Sequence, residues 1–264
     1  MSAWCPMCFR EMSGDTCAFC STESIDPEGH VLAAGTSLDS RYLVGRVLGR
    51  GRFGISYLGW QQVPGRQVAI KEYLPQTVAV RASDGRVVPS SRARQTEYQQ
   101  GLAAFAEEAD RLAKFLGNPN IVTVFDFVNA NGTAYMIMEY CPGETAQKYL
   151  HHNGGTLPYD DAAAIILPVL EALATLHAKD VFHRDASPDN MLITEQGVKL
   201  IDFGAARTAL RDRSVSFSAI LKMAYAPPEQ SQKRGNQGPW TDVFAAAATM
   251  YHLLAGEPPP TAMD

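Results

Sequence analysis

The chain has 264 residues, 46% of them hydrophobic and 19% charged, enough to bury a substantial core as one two-lobed domain or one domain with a small appendage. A net charge of −5 leaves no nucleic-acid footprint, and no nucleic-acid partner is expected. The start lacks the basic and apolar regions of a signal peptide, and the most apolar stretch, Ala162 to Leu176, is broken by Pro168 and Glu171, so the chain reads as soluble and cytoplasmic with no membrane segment of its own.

Four of the five cysteines lie in the first twenty residues, as Cys5-Pro-Met-Cys8 and Cys17-Ala-Phe-Cys20. Two C-x-x-C knuckles can turn four thiolates toward one point, a tetrahedral shell suited to structural zinc. So short a segment cannot bury enough apolar surface to fold unaided, and metal binding would supply the missing free energy. Two disulfides, four free thiols or a redox pair are the alternatives, disfavoured by a reducing compartment and the lack of a βαβ setting. Residues 1–24 resemble a zinc ribbon of the rubredoxin-like kind, a docking module for an unknown protein partner, and residues 25–40, mixed polar with Gly and Pro, read as a linker.

Tyr42 to Leu48 and Gly54 to Trp60 read as strands, with Gly49, Gly51 and Gly54 in the hairpin between them. Such glycines let backbone N–H groups approach a polyphosphate, and Phe53 at the tip would shield it from water. Alone, the pattern equally fits an ordinary glycine hairpin or a dinucleotide site. Val68-Ala69-Ile70-Lys71 reads as a buried strand closed by a lysine that needs a partner. Glu72 to Gln100 carries Pro75, Asp84-Gly85 and Pro89, which predict a loop or small hairpin, and its arginines 81, 86, 92 and 94 read as a solvated face. Gly101 to Phe115 has helical spacing, with Leu102, Phe105, Ala109 and Leu112 on one face. A strand is expected over Ala134 to Glu139, a long apolar helix over Asp161 to Lys179, and a strand running from Val198 to Asp202.

His183-Arg184-Asp185 with Asn190, and Asp202-Phe203-Gly204, complete a series of four fragments in fixed order. Together with Tyr225-Ala-Pro-Pro-Glu229 and Trp240-Thr-Asp242, they make the chain from Arg41 onward resemble serine/threonine protein kinases of the bacterial type. The resemblance implies an α+β, two-lobed kinase-like fold over residues 41–264, with a β-rich lobe at 41–139 and a helical lobe at 140–264. It implies ATP and Mg²⁺ (or Mn²⁺) as cofactors beside Zn²⁺, and a protein Ser/Thr hydroxyl as acceptor, autophosphorylation included. The implied nucleotide site comprises Gly49, Arg50, Gly51, Phe53, Gly54, Ala69, Lys71, the gatekeeper Met138, the hinge residues Glu139, Tyr140 and Cys141, and Leu192. Lys71 would pair with the phosphates and with Glu108, which the helical period places inward, in preference to Glu107. Asp185 would orient the acceptor hydroxyl, Asn190 and Asp202 would hold magnesium, and Asp242 would fix the catalytic loop.

Four departures stand out. Ser187 occupies the position of a phosphate-contacting lysine, and Lys222 aligns with the threonine that usually partners it, so Lys222 is expected to supply the charge. Ser56 replaces the valine that covers adenine. No arginine to pair with Glu229 follows it in the expected region. The chain also stops at Asp264, where a complete domain would continue for roughly 50 to 70 residues, so the C-terminal part is expected to be missing, and a membrane anchor could lie there. Arg184 before Asp185 implies control by phosphorylation of the segment 202–229, where Thr208, Ser214, Ser216 and Ser218 lie near Arg207, Arg211 and Arg213; Ser216 and Ser218 are the expected acceptors. The competing readings are a pseudokinase scaffold that binds nucleotide without transfer, and an inert remnant carrying a ribbon that binds nucleic acid or protein.

Overall fold

The computed structural model describes residues 3–12, 17–20, 30–203, 223–231 and 235–262. The chain divides into two compact units, one formed by Met1–Lys114 with Thr123–Tyr140 and the other by Phe115–Val122 with Cys141–Asp264.

The first unit is built on an antiparallel six-stranded sheet. Its strands are β3 (Ser37–Leu38), β4 (Tyr42–Gly51), β5 (Gly54–Gln61), β6 (Arg66–Tyr73), β9 (Val124–Ala130) and β10 (Thr133–Glu139), in the order β3-β4-β5-β6-β10-β9. Ahead of it lie β1 (Ala3–Trp4) and β2 (Glu11–Met12), and between β6 and β9 the small hairpin β7 (Ala79–Arg81) and β8 (Val87–Pro89) leads into helix α1 (Gln95–Leu112). Side chains alternate across β6, so Val68, Ile70 and Glu72 are sealed on one face while Ala69, Lys71 and Tyr73 project from the other. The α1 stripe Tyr98, Phe105, Ala109 and Leu112 is buried, and Tyr73 stacks on Tyr98 and Phe105 with ring centroids 5.5 and 5.6 Å apart. The helix begins six residues before the apolar period does, because Tyr98 is fixed by a long-range hydrogen bond from its hydroxyl to the Gly132 carbonyl, 2.8 Å.

The cysteine segment packs directly on this sheet. β1 pairs with β2, and the first knuckle closes through Cys5 N–H to Arg10 O (2.9 Å) and Phe9 N–H to Cys5 O (2.8 Å). Arg46 N–H donates to Met7 O and the Gln67 amide to Cys8 O, both at 2.9 Å. Cys5, Cys8 and Phe9 are buried against Leu58, with Leu43, Leu48, Trp60 and Tyr140 around them. Trp60 also stacks on Trp4 and Phe9. The surface that receives the described ribbon residues is therefore the chain's own sheet. Part of the span read as linker is likewise packed: Leu32 and Leu38 are buried and β3 pairs with β4. Leu32 lies in the short apolar run Val31–Ala34 and Leu38 stands among polar residues, a pattern with no helical or strand period to predict this packing.

The second unit joins a three-stranded sheet, β11 (Gly143–Thr145), β12 (Met191–Thr194) and β13 (Gly197–Leu200), to helices α2 (Ala146–His152), α3 (Tyr159–His177) and α4 (Pro239–Ala255). The buried stripe of α3, including Ile165, Val169, Ala172 and Leu176, packs on α4, whose small residues Ala245, Ala246 and Ala248 permit close approach. Gly256 stops α4 at a left-handed φ of 81°, where an added Cβ would meet Gly155 O at 2.6 Å. Residues 115–122, expected with the first lobe, belong here, tied by Val122 N–H to Leu200 O (3.0 Å) and Leu200 N–H to Asn120 O (2.8 Å). Among the described residues no helix is long and apolar enough to cross a membrane.

Two outcomes follow from this packing. A Cβ at Gly45 would lie 2.7 Å from Met7 O and from the Phe9 ring, so Gly45→Ala should displace the ribbon. The expected loss is about 1–3 kcal/mol of unfolding free energy, with a red shift in tryptophan emission as Trp4 and Trp60 part. The second concerns pH. His252, 5% exposed, meets the Tyr225 hydroxyl at Nδ1, 2.5 Å, and burial holds its pKa below the ordinary 6.5. The unfolded chain gains a proton as pH falls through 6.5 and the folded one does not, so stability falls with pH below that point, by up to about 1.4 kcal/mol at pH 5.5. Denaturant titrations at pH 7.5 and 5.5 should show a smaller difference for His252→Gln than for the parent chain.

Candidate active site

The glycine hairpin closes the β4–β5 ladder, with Gly49 opposite Ser56, Arg50 opposite Ile55 and Gly51 opposite Gly54. Its tip, Arg52-Phe53, is held by Leu74 N–H to Phe53 O (3.1 Å) and Gln76 N–H to Arg52 O (3.2 Å). The three glycines have different reasons to be there. A Cβ on Gly54 would collide with Glu72 O at 1.9 Å, so strand packing alone demands that glycine. A Cβ on Gly49 would meet nothing within 4 Å, and one on Gly51 only Gly54 O at 3.8 Å. Packing of the chain therefore does not explain these two, and their bare backbone leaves open space beside the hairpin.

Lys71 sits in the middle of β6 with Ser56 and Met136 as its cross-strand neighbours, and Ala69 lies between Leu58 and Met138. Because Tyr73 shares the Lys71 face and stacks on α1, that helix lies on the same side of the sheet as the lysine. Glu108 of α1 is 3% exposed, while the Glu107 side chain is 65% exposed and pairs with Arg111 at 2.9 Å. Met138 is buried beside a β-bulge, and the next residue is pinned by Glu139 N–H to Thr123 O at 2.8 Å. Tyr140 and Cys141 are half-buried.

In the second unit the loop from Phe182 to Asn190 is fixed from below by Asp242 of α4, which is fully buried. Its two oxygens accept from His183 N–H (2.8 Å) and Arg184 N–H (2.6 Å), and one also meets His177 Nε2 at 2.8 Å. Thr249 adds a hydrogen bond to Ala186 O, 2.8 Å, and Gln230 one to Arg184 O, 3.0 Å. Arg184 takes a left-handed φ of 65°, a strained conformation for a residue with a Cβ, and these bonds hold it. Burial depresses the pKa of His183 and keeps the ring neutral. Nε2–H then donates to Ile201 O (3.1 Å) and Nδ1 accepts from Asp185 N–H (3.3 Å), so this one ring spaces the Asp185 loop from the segment that follows β13, which ends at Leu200 and not at Asp202 as expected. Its centroid lies 4.4 Å from that of Phe203.

Asp185 receives the Ser187 hydroxyl at Oδ1, 3.3 Å, and its carbonyl accepts from the Asn190 amide at 2.8 Å. Ile201 N–H donates to Asn190 O at 3.0 Å, which brings Asp202, at a left-handed φ of 57°, beside the Asn190 segment. Asp185, Asn190 and Asp202 thus gather at one place in this unit, and an amide and a carboxylate offer the hard oxygen donors that Mg²⁺ takes. Leu192 lies on β12, between Thr145 and Lys199. Glu229 accepts from Thr241 Oγ1 at 2.9 Å. The sequence carried no signal for Thr241, His177, Thr249 or Gln230, whose roles depend on the fold. Lys222, Gly204 and the candidate phosphorylation residues Thr208, Ser214, Ser216 and Ser218 lie outside the described residues.

The cysteine cluster meets the geometric demand of a tetrahedral metal. Cys5 and Cys20 sulfurs are 3.5 Å apart, as are those of Cys8 and Cys17, and all four lie within 4.8 Å of one another. Zinc–sulfur bonds of about 2.3 Å require sulfur–sulfur edges of about 3.8 Å. The Phe19 N–H donates to Cys17 Sγ at 3.4 Å and, as the largest cause, lowers that thiol to about 6, whereas burial raises Cys8 and Cys20.

Known proteins share this architecture. The family model for the protein kinase domain matches residues 42–264. The chain is 33% identical over 224 residues to serine/threonine-protein kinase PknL of Mycobacterium tuberculosis, covering 84% of this chain and 51% of that protein. It is 34% identical over 234 residues to probable serine/threonine-protein kinase PknB of Bifidobacterium longum, covering 83% of this chain and 31% of the relative. It thus spans only about a third to about a half of the length of these relatives. Among solved structures, the apo form of PpkA-294 matches with a TM-score of 0.76 at 33% identity, over 89% of this chain and 82% of that one. The M. tuberculosis PknI kinase domain matches with a TM-score of 0.66 at 27% identity, over 89% and 80%. With the family model matched over residues 42–264, this chain belongs to the protein kinase domain family.

Proposed function

We propose that this chain transfers the γ-phosphoryl group of ATP to serine or threonine hydroxyls of proteins, with itself among the acceptors, and that its cysteine cluster holds a structural zinc ion. The gathering of Asp185, Asn190 and Asp202 around the His183 ring carries this reading. Gly49, Gly51 and Gly54 would bring backbone N–H groups to the phosphates, with Arg50 and Phe53 flanking them, and Lys71 would neutralise the α- and β-phosphates while Glu108 orients it. In the first unit, Ala69, Met138 and Glu139 would border the base. Asp185, its carboxylate steadied by Ser187, would orient the acceptor hydroxyl and receive its proton. Asn190 and Asp202 would hold Mg²⁺, which when bound neutralises charge on the phosphates. Lys222 would supply the cation that Ser187 cannot. Reduced thiols and the use of ATP favour a cytoplasmic setting for this part of the protein. The closed four-sulfur shell gives zinc a purely structural task, to hold the knuckles against β4, β5 and β6.

Incubation with γ-labelled ATP and Mg²⁺ should label the chain. Lys71→Met and Asp202→Asn should each lower the initial rate by about 100-fold or more, the scale seen when one preorganised charge-stabilising group is removed. Unlabelled wild-type protein would refute phosphoryl transfer by this chain, and an unchanged rate in Lys222→Ala would refute the role given to that lysine.

Elemental analysis should find one zinc per chain. Stripping it with a chelator, or replacing Cys8 with Ser, should lower the melting temperature by about 3 °C or more and expose the segment before Gly45 to protease.

A further inference from the structure

Of the four arginines between β6 and α1, Arg92, Arg94 and Arg86 are exposed, but Arg81 is not: its side chain is 3% exposed and its Nη2 lies 2.5 Å from Glu72 Oε2. Glu72 is the residue after Lys71, on the opposite face of the same strand, and is fully buried. Its carboxylate also accepts from Tyr57 OH of β5 (3.0 Å) and Tyr135 OH of β10 (2.8 Å), the two strands that flank β6. Arg81 spends its other donors on backbone: Nε on His30 O and Nη1 on Gly85 O, both at 3.0 Å. Tyr57 OH in turn accepts from Leu32 N–H, 3.2 Å. Burial opposes the charge on Arg81, yet the adjoining Glu72 raises its pKa, and burial together with Glu72 raises those of Tyr57 and Tyr135, so all three stay protonated donors.

Three segments therefore converge on one carboxylate a single residue from Lys71, and residues 30–32 join them through Arg81 and Tyr57. A buried ion pair with every polar partner satisfied contributes little net stability compared with apolar packing, but it tolerates only one arrangement of the groups around it. We propose that Arg81 and Glu72 are positioning residues: the β7–β8 hairpin reaches under the sheet and braces β6 from behind, fixing Lys71 for nucleotide binding. The hairpin is the connection from β6 to α1, so the same brace sets the start of the helix that carries Glu108. Val87 N–H donates to Asn131 O at 2.7 Å, which anchors the hairpin to the β9–β10 turn as well. This proposal rests on the kinase reading above.

The test measures equilibrium ATP affinity, by displacement of a fluorescent nucleotide, alongside the ATP dependence of autophosphorylation and thermal melting, all on the full chain. Arg81→Met strands Glu72 and should lower the melting temperature and weaken ATP binding by about tenfold. Glu72→Gln combined with Arg81→Met leaves no uncompensated charge and should regain most of the melting temperature while ATP affinity stays reduced by about fivefold or more. Arg86→Ala, an exposed arginine of the same hairpin, should change none of these. A paired variant that binds ATP within twofold of wild type would overturn the proposal by making the pair purely structural. If neither Met variant folds, Arg81→Lys carries the test: it keeps the charge and loses the donors to His30 and Gly85, and wild-type ATP affinity in it would overturn the proposal. Wild-type protein that binds no ATP would instead overturn the kinase reading, and the brace with it; wild-type binding without labelling would refute transfer alone and leave the brace standing on the affinity data.

Discussion

Asp242 is the constraint on which the second unit depends. A loop that brings a carboxylate and an amide, Asp185 and Asn190, to one place turns too sharply to be a strand or a long helix. It must therefore find partners for its backbone N–H groups outside any ladder. Asp242 accepts from two consecutive N–H groups, those of His183 and Arg184, the second of which takes a left-handed φ. Sealed from water, such charge-assisted bonds are strong, and losing one would leave a buried donor or acceptor unsatisfied. The neutral His183 ring extends the constraint to the end of β13, and Thr249 extends it to Ala186.

The first unit solves a similar problem in a similar way. Lys71 lies on a strand whose position along its neighbours must be fixed, and a buried carboxylate, Glu72, gathers donors from the strands on both sides. In each unit the residue expected to do chemistry is not itself the anchor; the anchor is a sealed acid nearby, saturated with donors. This division has a physical reason. A group that must bind phosphate or move a proton has to keep some of its hydrogen-bonding capacity in reserve, so the rigidity has to come from a neighbour whose capacity is fully used.

The residues of the candidate site were legible because their chemistry is local and ordered: glycines at fixed offsets, a lysine closing an apolar strand, two acids and an amide at known spacing. The helical period separated Glu108 from Glu107 because burial follows the period. The anchors were not legible. Arg81 and Arg86 look alike in sequence, both in a basic stretch rich in turn residues, and only the hairpin's fold puts one beneath the sheet and leaves the other in water. Glu229 takes a hydrogen bond from Thr241, twelve residues on, whose part in the site nothing in the local sequence marks. The ribbon's seat on β4, with Gly45 making room for Met7 and Phe9, depends on a single absent side chain that reads in sequence as one more strand glycine.

Ser187 shows why a motif departure is better read through packing than through alignment. The residue is 1% exposed, and its hydroxyl points to the Asp185 carboxylate. A lysine side chain there would have to carry its charge out of a sealed position or be buried at a large desolvation cost. Serine at 187 is thus not a lysine that has simply lost its function; it belongs to a loop whose local packing has closed over that position, and its contribution has shifted from charge to orientation. A cation for the phosphates, on the proposed reading, would then have to come from another segment. Restoring lysine at 187 alone would not restore the usual arrangement, because it would remove the hydrogen bond that steadies Asp185 and place a cation where the loop has no room for it.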